Sequence, residues 1–143
     1  GETELADVDP QDPSKGKELA LSQIGQGADV IYHASGSTGL GVFEAARDKK
    51  ILAIGVDSDQ YKDAPGFVLT SVTKQVDEAV FDAIKAAKSG KPLKGVTEFG
   101  LKEKGVDYVY DERNKTLIPP RARAKAEEAR KLIVAGKLKV PFK

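Results

Sequence analysis

The stretch Ala28–Asp59, ADVIYHASGSTGLGVFEAARDKKILAIGVDSD, decides the fold. Ala28–Ala34 and Ile51–Val56 are apolar runs of strand length, and between them Leu40, Phe43 and Ala46 recur at helical spacing. Runs apolar on both faces suit parallel strands covered by helices on two sides. The first run opens into Ser35-Gly36-Ser37-Thr38-Gly39 and the second into Gly55-Val56-Asp57-Ser58-Asp59. Open α/β sheets bind ligands in the crevice beyond the carboxyl ends of their strands, so both loops stand where a small molecule is expected.

Upstream, Asp12-Pro13 reads as an N-cap followed by proline at the first helical position, and Ser14–Ile24 as a helix stopped by Gly25-Gln26-Gly27. Thr3–Val8 reads as a polar edge strand. Downstream, Asp57–Gly66 is a loop and Phe67–Ser71 a third short strand. Val76, Ala79, Val80, Ala83, Ile84 and Ala87 follow helical spacing without a break, which makes Gln75–Lys88 the clearest helix in the chain. Gly95–Leu101 and Val106–Tyr110, joined by Lys102-Glu103-Lys104-Gly105, predict a β-hairpin. A charged helix over about Arg121–Ala135, closed by Gly136, completes the order. The alternation of strands and helices predicts a single α/β domain over 1–143: three layers, with a largely parallel sheet flanked by helices.

Composition narrows the chemistry. The 143 residues hold 23 Lys plus Arg against 22 Asp plus Glu, a net charge of +1 with no basic block, so no nucleic-acid partner is implied. With no cysteine and one histidine, His33, neither a disulfide framework nor a thiolate or histidine metal cluster is expected. No run approaches the roughly 20 apolar residues of a membrane helix, so no membrane insertion by this segment is expected. The chain has no methionine and begins at Gly1, which reads as the product of a removed leader or preceding segment.

Three places can carry chemistry. Gly36–Gly41, GSTGLG, follows a strand and opens a helix, where free N–H groups and the helix dipole favour an anion. It lacks the G-x-G-x-x-G order of dinucleotide folds and the Gly-Lys-Ser/Thr ending of a triphosphate loop; the plainer reading is a tight turn whose glycines relieve crowding. Asp57 and Asp59 are paired carboxylates on a strand-end loop, suited to a metal, to acid–base work or to accepting sugar hydroxyls. The other acids are scattered over helix surfaces, which favours hydroxyl binding over a metal, and the plainer alternative is a polar turn. Lys74, after the third strand and before the clearest helix, stands at the same edge and can pair with Asp57 or reach a ligand hydroxyl, although most lysines are simply solvated. His33, with no nucleophile signature nearby, reads as a core or rim histidine. No catalytic residue, metal ligand or cofactor is expected. An enzyme of nucleotide or sugar-phosphate chemistry using Gly36–Gly41 as an anion cradle has no motif joining a base to that cradle.

Taken together, GADVIY, TGLGVFEAA, IGVDSDQ, LTSVTKQVD and FGLKEKGV, in this order between about Asp12 and Pro141, resemble the second (C-terminal) lobe of the basic membrane protein family. These are substrate-binding lipoproteins of ABC transporters, best known for purine nucleosides. The resemblance implies one lobe of a type I periplasmic-binding fold and an extracytoplasmic, cell-surface or periplasmic, parent protein. Its implied partners are a nucleoside or related small solute, a first lobe and an ABC permease. It implies that Asp57 accepts ribose hydroxyls, with Asp59 beside it, that Lys74 contacts the sugar, and that Gly36, Ser37 and Thr38 face the base or ribose. The sequence departs from the family in having VDPQDP, with Pro10 or Gln11, where members carry a stacking aromatic. It also lacks a preceding βα unit whose strand lies mid-sheet. Those departures predict weak or lost affinity in the isolated chain, or a lobe that completes itself as a homodimer or by strand exchange and serves as a structural or interaction module.

Overall fold

The first helix, α1 (Pro13–Gly25), begins as its sequence dictates: the Asp12 carboxylate accepts the Lys15 N–H at 3.0 Å, and Pro13 occupies the first turn. The computed structural model describes Asp9 and residues 11–141; the edge strand expected over Thr3–Val8 lies outside them. Strand β1 (Val30–Tyr32) leads through a 3-10 turn at Gly36–Thr38 into α2 (Gly39–Lys49), and β2 (Leu52–Asp57) follows. A second 3-10 turn, Tyr61–Asp63, precedes β3 (Val68–Lys74); α3 (Val76–Lys88), β4 (Val106–Tyr108) and α4 (Pro120–Val134) complete the order. The strands form one sheet in the order β1-β2-β3-β4, and β1 and β2 pair in parallel with Ile31 opposite Ala53. The fold class is α/β, as the alternation of elements predicts.

The described chain divides into two compact units, one of residues 11–72 and 108–117, the other of residues 73–107 and 118–141. In the first, Ala20 of α1 and Val42, Phe43, Ala45 and Ala46 of α2 close over Ile31, Ala53 and Val68. Burying a side chain such as Phe43 contributes roughly 1.5–3 kcal/mol. Two glycines set how close the helices come. A Cβ on Gly41 would lie 1.7 Å from the Pro13 carbonyl oxygen, and one on Gly16 2.1 Å from that of Thr38. The plainer reading of GSTGLG therefore accounts for Gly41, and for Gly39, whose Cβ would enter the His33 ring.

Two expectations are corrected here. Strand β1 is shorter than Ala28–Ala34 and is not enclosed on both faces: Ile31 is buried, but Tyr32 is 53% exposed and Val30 38%. Within this unit Ile31 packs into the core formed with α1 and α2, while Val30 and Tyr32 on either side of it stay exposed. In the second unit, Gly95–Leu101 is not a strand and no hairpin forms. Neighbouring β3, not residues 95–101, pairs with β4, and Val96 is 95% exposed, so the alternating pattern has no surface to pack on. The turn survives, with Gly105 N–H donating to the Gly100 carbonyl at 2.9 Å. Helix α3 forms where the periodicity predicts and α4 within a residue of the expected bounds, but neither buries a side chain fully.

Candidate functional site

In the first unit the loops that leave β1 and β2 lie at the carboxyl ends of parallel strands, and a partly buried network joins them. After β1, the chain turns at Gly36, whose φ of 49° is unfavourable for residues with a side chain, and winds through Ser37 and Thr38 into α2. Thr38 is buried, and its hydroxyl donates to the Asp9 carbonyl at 2.7 Å while accepting the Asp12 N–H at 3.0 Å. Its side chain thus fixes the entry to α1. Gly36 and Ser37 are exposed on the turn.

After β2, Asp57 is exposed and has φ 69°, and the Ser58 N–H donates to the Val56 carbonyl at 2.8 Å across it. Asp59 turns the other way. Its Oδ1 accepts the Tyr61 N–H at 3.1 Å, opening the 3-10 turn, and its Oδ2 accepts from Arg113 Nη2 at 2.6 Å. Arg113 also binds Asp111 and lies 4.8 Å over the Tyr61 ring. The flanking carboxylates hold the guanidinium pKa above its usual value, and Arg113 holds that of Asp111 below the ordinary carboxylate range. Asn114 anchors this outer loop, donating to the carbonyls of Leu69 at 3.0 Å and Val109 at 2.8 Å.

Between the two loops sits His33, buried, edge-on to Phe43 with ring centroids 4.9 Å apart. Its Nε2 is 3.1 Å from Gln60 Oε1. Burial pushes its pKa down, partly offset by the Gln60 contact and by the charges of Asp57 and Asp63. Sequence reasoning gives Gln60 and His33 no joint role; their signal is an amide side chain three residues after Asp57, paired with the chain's only histidine. It does not single out Arg113 or Asn114 at all. Lys74 belongs to the second unit, exposed at the carboxyl end of β3, one residue before Gln75, whose N–H donates to the Gly105 carbonyl at 2.8 Å. Among the described residues no three His, Asp or Glu side chains converge as a metal site, and no helix is long and apolar enough to cross a membrane.

Parallel strands ending in polar loops define an α/β domain. Its backbone matches a solute-binding protein of an ABC transporter system from Aeropyrum pernix with a TM-score of 0.80 over 92% of this chain and 45% of that one, at 24% identity. The family follows from the sequence: a model described as ABC transporter substrate-binding protein PnrA-like matches residues 9–142, and the chain belongs to this Bmp family. It is 35% identical over 150 residues to the ABC transporter nucleoside-binding protein BmpA of Lactococcus lactis, covering 92% of this chain and 41% of that protein. It is 40% identical over 103 residues to an uncharacterised lipoprotein of Pyrococcus abyssi, covering 68% of this chain and 26% of the relative. The chain thus spans less than half the length of these relatives. Transporter substrate-binding proteins carry their cargo unchanged, and the family is non-enzymatic.

Proposed function

We propose that the chain is the second lobe of an extracytoplasmic solute-binding lipoprotein and forms one wall of a purine nucleoside site, with a first lobe supplying the opposite wall and an ABC permease receiving the cargo. The observation that carries this reading is Asp57, lifted at the end of β2 on a turn bound through Gln60 to His33, in the segment that leads from β1 into the Gly36–Thr38 turn. The nucleoside-binding relative from L. lactis supports the cargo class, and the P. abyssi lipoprotein supports the location. Asp57 accepts hydroxyls of the ribose, Lys74 contacts the sugar, and Gly36 and Ser37 face the solute. Thr38, with its hydroxyl committed to Asp9 and Asp12, contributes through its backbone, and Asp59 shapes the loop through Arg113. Half a site binds weakly, because a solute touching one wall keeps most of its surface in water.

Calorimetry with adenosine, guanosine and inosine on a two-lobed protein containing this chain tests the reading. Binding weakened at least tenfold by Asp57→Ala is expected; unchanged affinity in that variant removes the assignment. For the isolated chain, a submicromolar dissociation constant would show the one-wall reading to be wrong. A second reading, a homodimeric module, is favoured by α3, where Val76, Val80, Phe81 and Ile84 are each more than half exposed. Sedimentation showing a monomer at all concentrations excludes it.

A further inference from the structure

Asp57 stands at the middle of a three-residue turn, with positive φ and the Ser58 N–H bonded to the Val56 carbonyl across it. A γ-turn of this hand is rare and strained, and strained backbone persists only where its surroundings over-determine it. Those surroundings converge on Gln60. Its Oε1 accepts the Val56 N–H at 2.8 Å, so both backbone polar groups of Val56 are engaged just before Asp57. The same oxygen lies 3.1 Å from His33 Nε2, and the Gln60 N–H donates to the buried Ser71 hydroxyl at 3.1 Å. One residue is thereby tied to His33 beyond β1, Val56 of β2 and Ser71 of β3. Gly55 makes the room, since a Cβ there would stand 2.8 Å from Gln60 Oε1 and 2.7 Å from Ser71 Oγ.

The network also fixes the proton on His33. An oxygen that already takes the Val56 N–H must be the carbonyl of the amide, and it can only accept, so Nε2 carries the hydrogen. His33 Nδ1 is left as the acceptor nitrogen, with no hydrogen-bond partner among the described residues.

We infer that Gln60 is a positioning residue for solute binding, a clamp that holds the Asp57 turn in its strained form before any solute arrives and locks it to the strand carrying the Gly36–Thr38 turn. This rests on the reading of Asp57 as the solute's acceptor. Preorganisation of this kind reduces the ordering that binding would otherwise require.

Nuclear magnetic resonance on the 143-residue chain tests it with three variants: Gln60→Ala, Gln60→Glu and Asp57→Ala. Gln60→Ala is expected to speed hydrogen exchange of the Val56 and Ser58 amides at least tenfold and to abolish the Nε2–H tautomer signature of His33. Exchange at Ile51, bonded to Ala46 across the end of α2 and outside the Gln60 network, is the control and is expected to stay unchanged. Gln60→Glu keeps an acceptor oxygen and is expected to restore slow exchange, while its charge raises the His33 titration midpoint. Wild-type exchange and tautomer in Gln60→Ala overturn the clamp whether or not solute binds. Adenosine titrations of a two-lobed protein containing this chain, carrying the same variants, separate the two claims. Loss of binding in Asp57→Ala but not in a Gln60→Ala variant with a released turn overturns positioning and leaves the nucleoside reading standing. Unchanged binding in both variants, with the turn released in Gln60→Ala, removes the nucleoside reading and leaves the clamp as architecture.

Discussion

At the scale of single residues, the candidate site combines polar groups held for structural reasons with one acid held in strain. Asp57→Gly relieves the positive φ without leaving a side chain, so it is expected to stabilise the domain by up to about 1 kcal/mol in urea unfolding while losing the ribose contact. Stability and affinity then move in opposite directions, an outcome a plain surface loop would not give. His33 makes a second prediction. Its folded pKa lies below the ordinary 6.5, so between those two values the unfolded chain binds a proton that the folded chain refuses. Its contribution is complete above about pH 6.5 and is lost as pH falls through that window; comparing urea midpoints at pH 7.5 and 5.5 should show a drop that His33→Leu largely removes. The low pKa values of Asp48 and Asp111 act below their ordinary 3.8, and the raised pKa of Lys17 acts above 10.5, outside this window. The acids of GVDSDQ were visible in the sequence as site candidates, but their different fates were not. Asp59 is claimed by Arg113, 54 residues away in sequence, and no local pattern encodes that pairing.

At the scale of elements, what was legible is what local chemistry controls. Asp12-Pro13 starts α1 and the apolar periodicity locates α3, because caps and spacing act within one turn of helix. The hairpin failed because strand pairing is a choice between partners: Val106–Tyr108 pairs with β3, which lies on the far side of α3 in the chain, and alternation alone names no partner. The GSTGLG glycines were legible as a turn but not as a packing device, since what they make room for, Pro13 and His33, lies elsewhere in the chain. Gly41→Ala is therefore expected to push α2 off α1 and cost about 3 kcal/mol, measured by urea unfolding. An alanine at Gly25 or Gly90, each with nothing within 4 Å of where its methyl group would stand, lacks that clash, although Gly90 carries a positive φ that an alanine would strain. The Lys17 bridges to Glu44 and Asp48, 3.3 and 2.9 Å long, join the same two helices but are exposed and contribute little beside that contact.

At the scale of the whole molecule, family membership and the short span relative to known members fit a chain whose apolar surfaces are unevenly covered. The first unit closes a core around Phe43 and Ala53 but leaves Val30 and Tyr32 open, and the second unit exposes the apolar stripe of α3. That stripe has a consequence for handling the protein in solution. The isoelectric point is about 8.0 and the net charge at neutral pH only +1, so little long-range repulsion keeps the Val80, Phe81 and Ile84 surfaces of neighbouring molecules apart. The second virial coefficient, measured by static light scattering, is expected to be lowest near pH 8 and to rise as the pH is lowered toward 4.5, where the 22 carboxylates begin to protonate. Adding salt near pH 4.5 should bring it down again, as screening removes the repulsion that acidification supplied. Val80→Lys with Ile84→Lys should flatten the minimum, which would locate the attraction on α3.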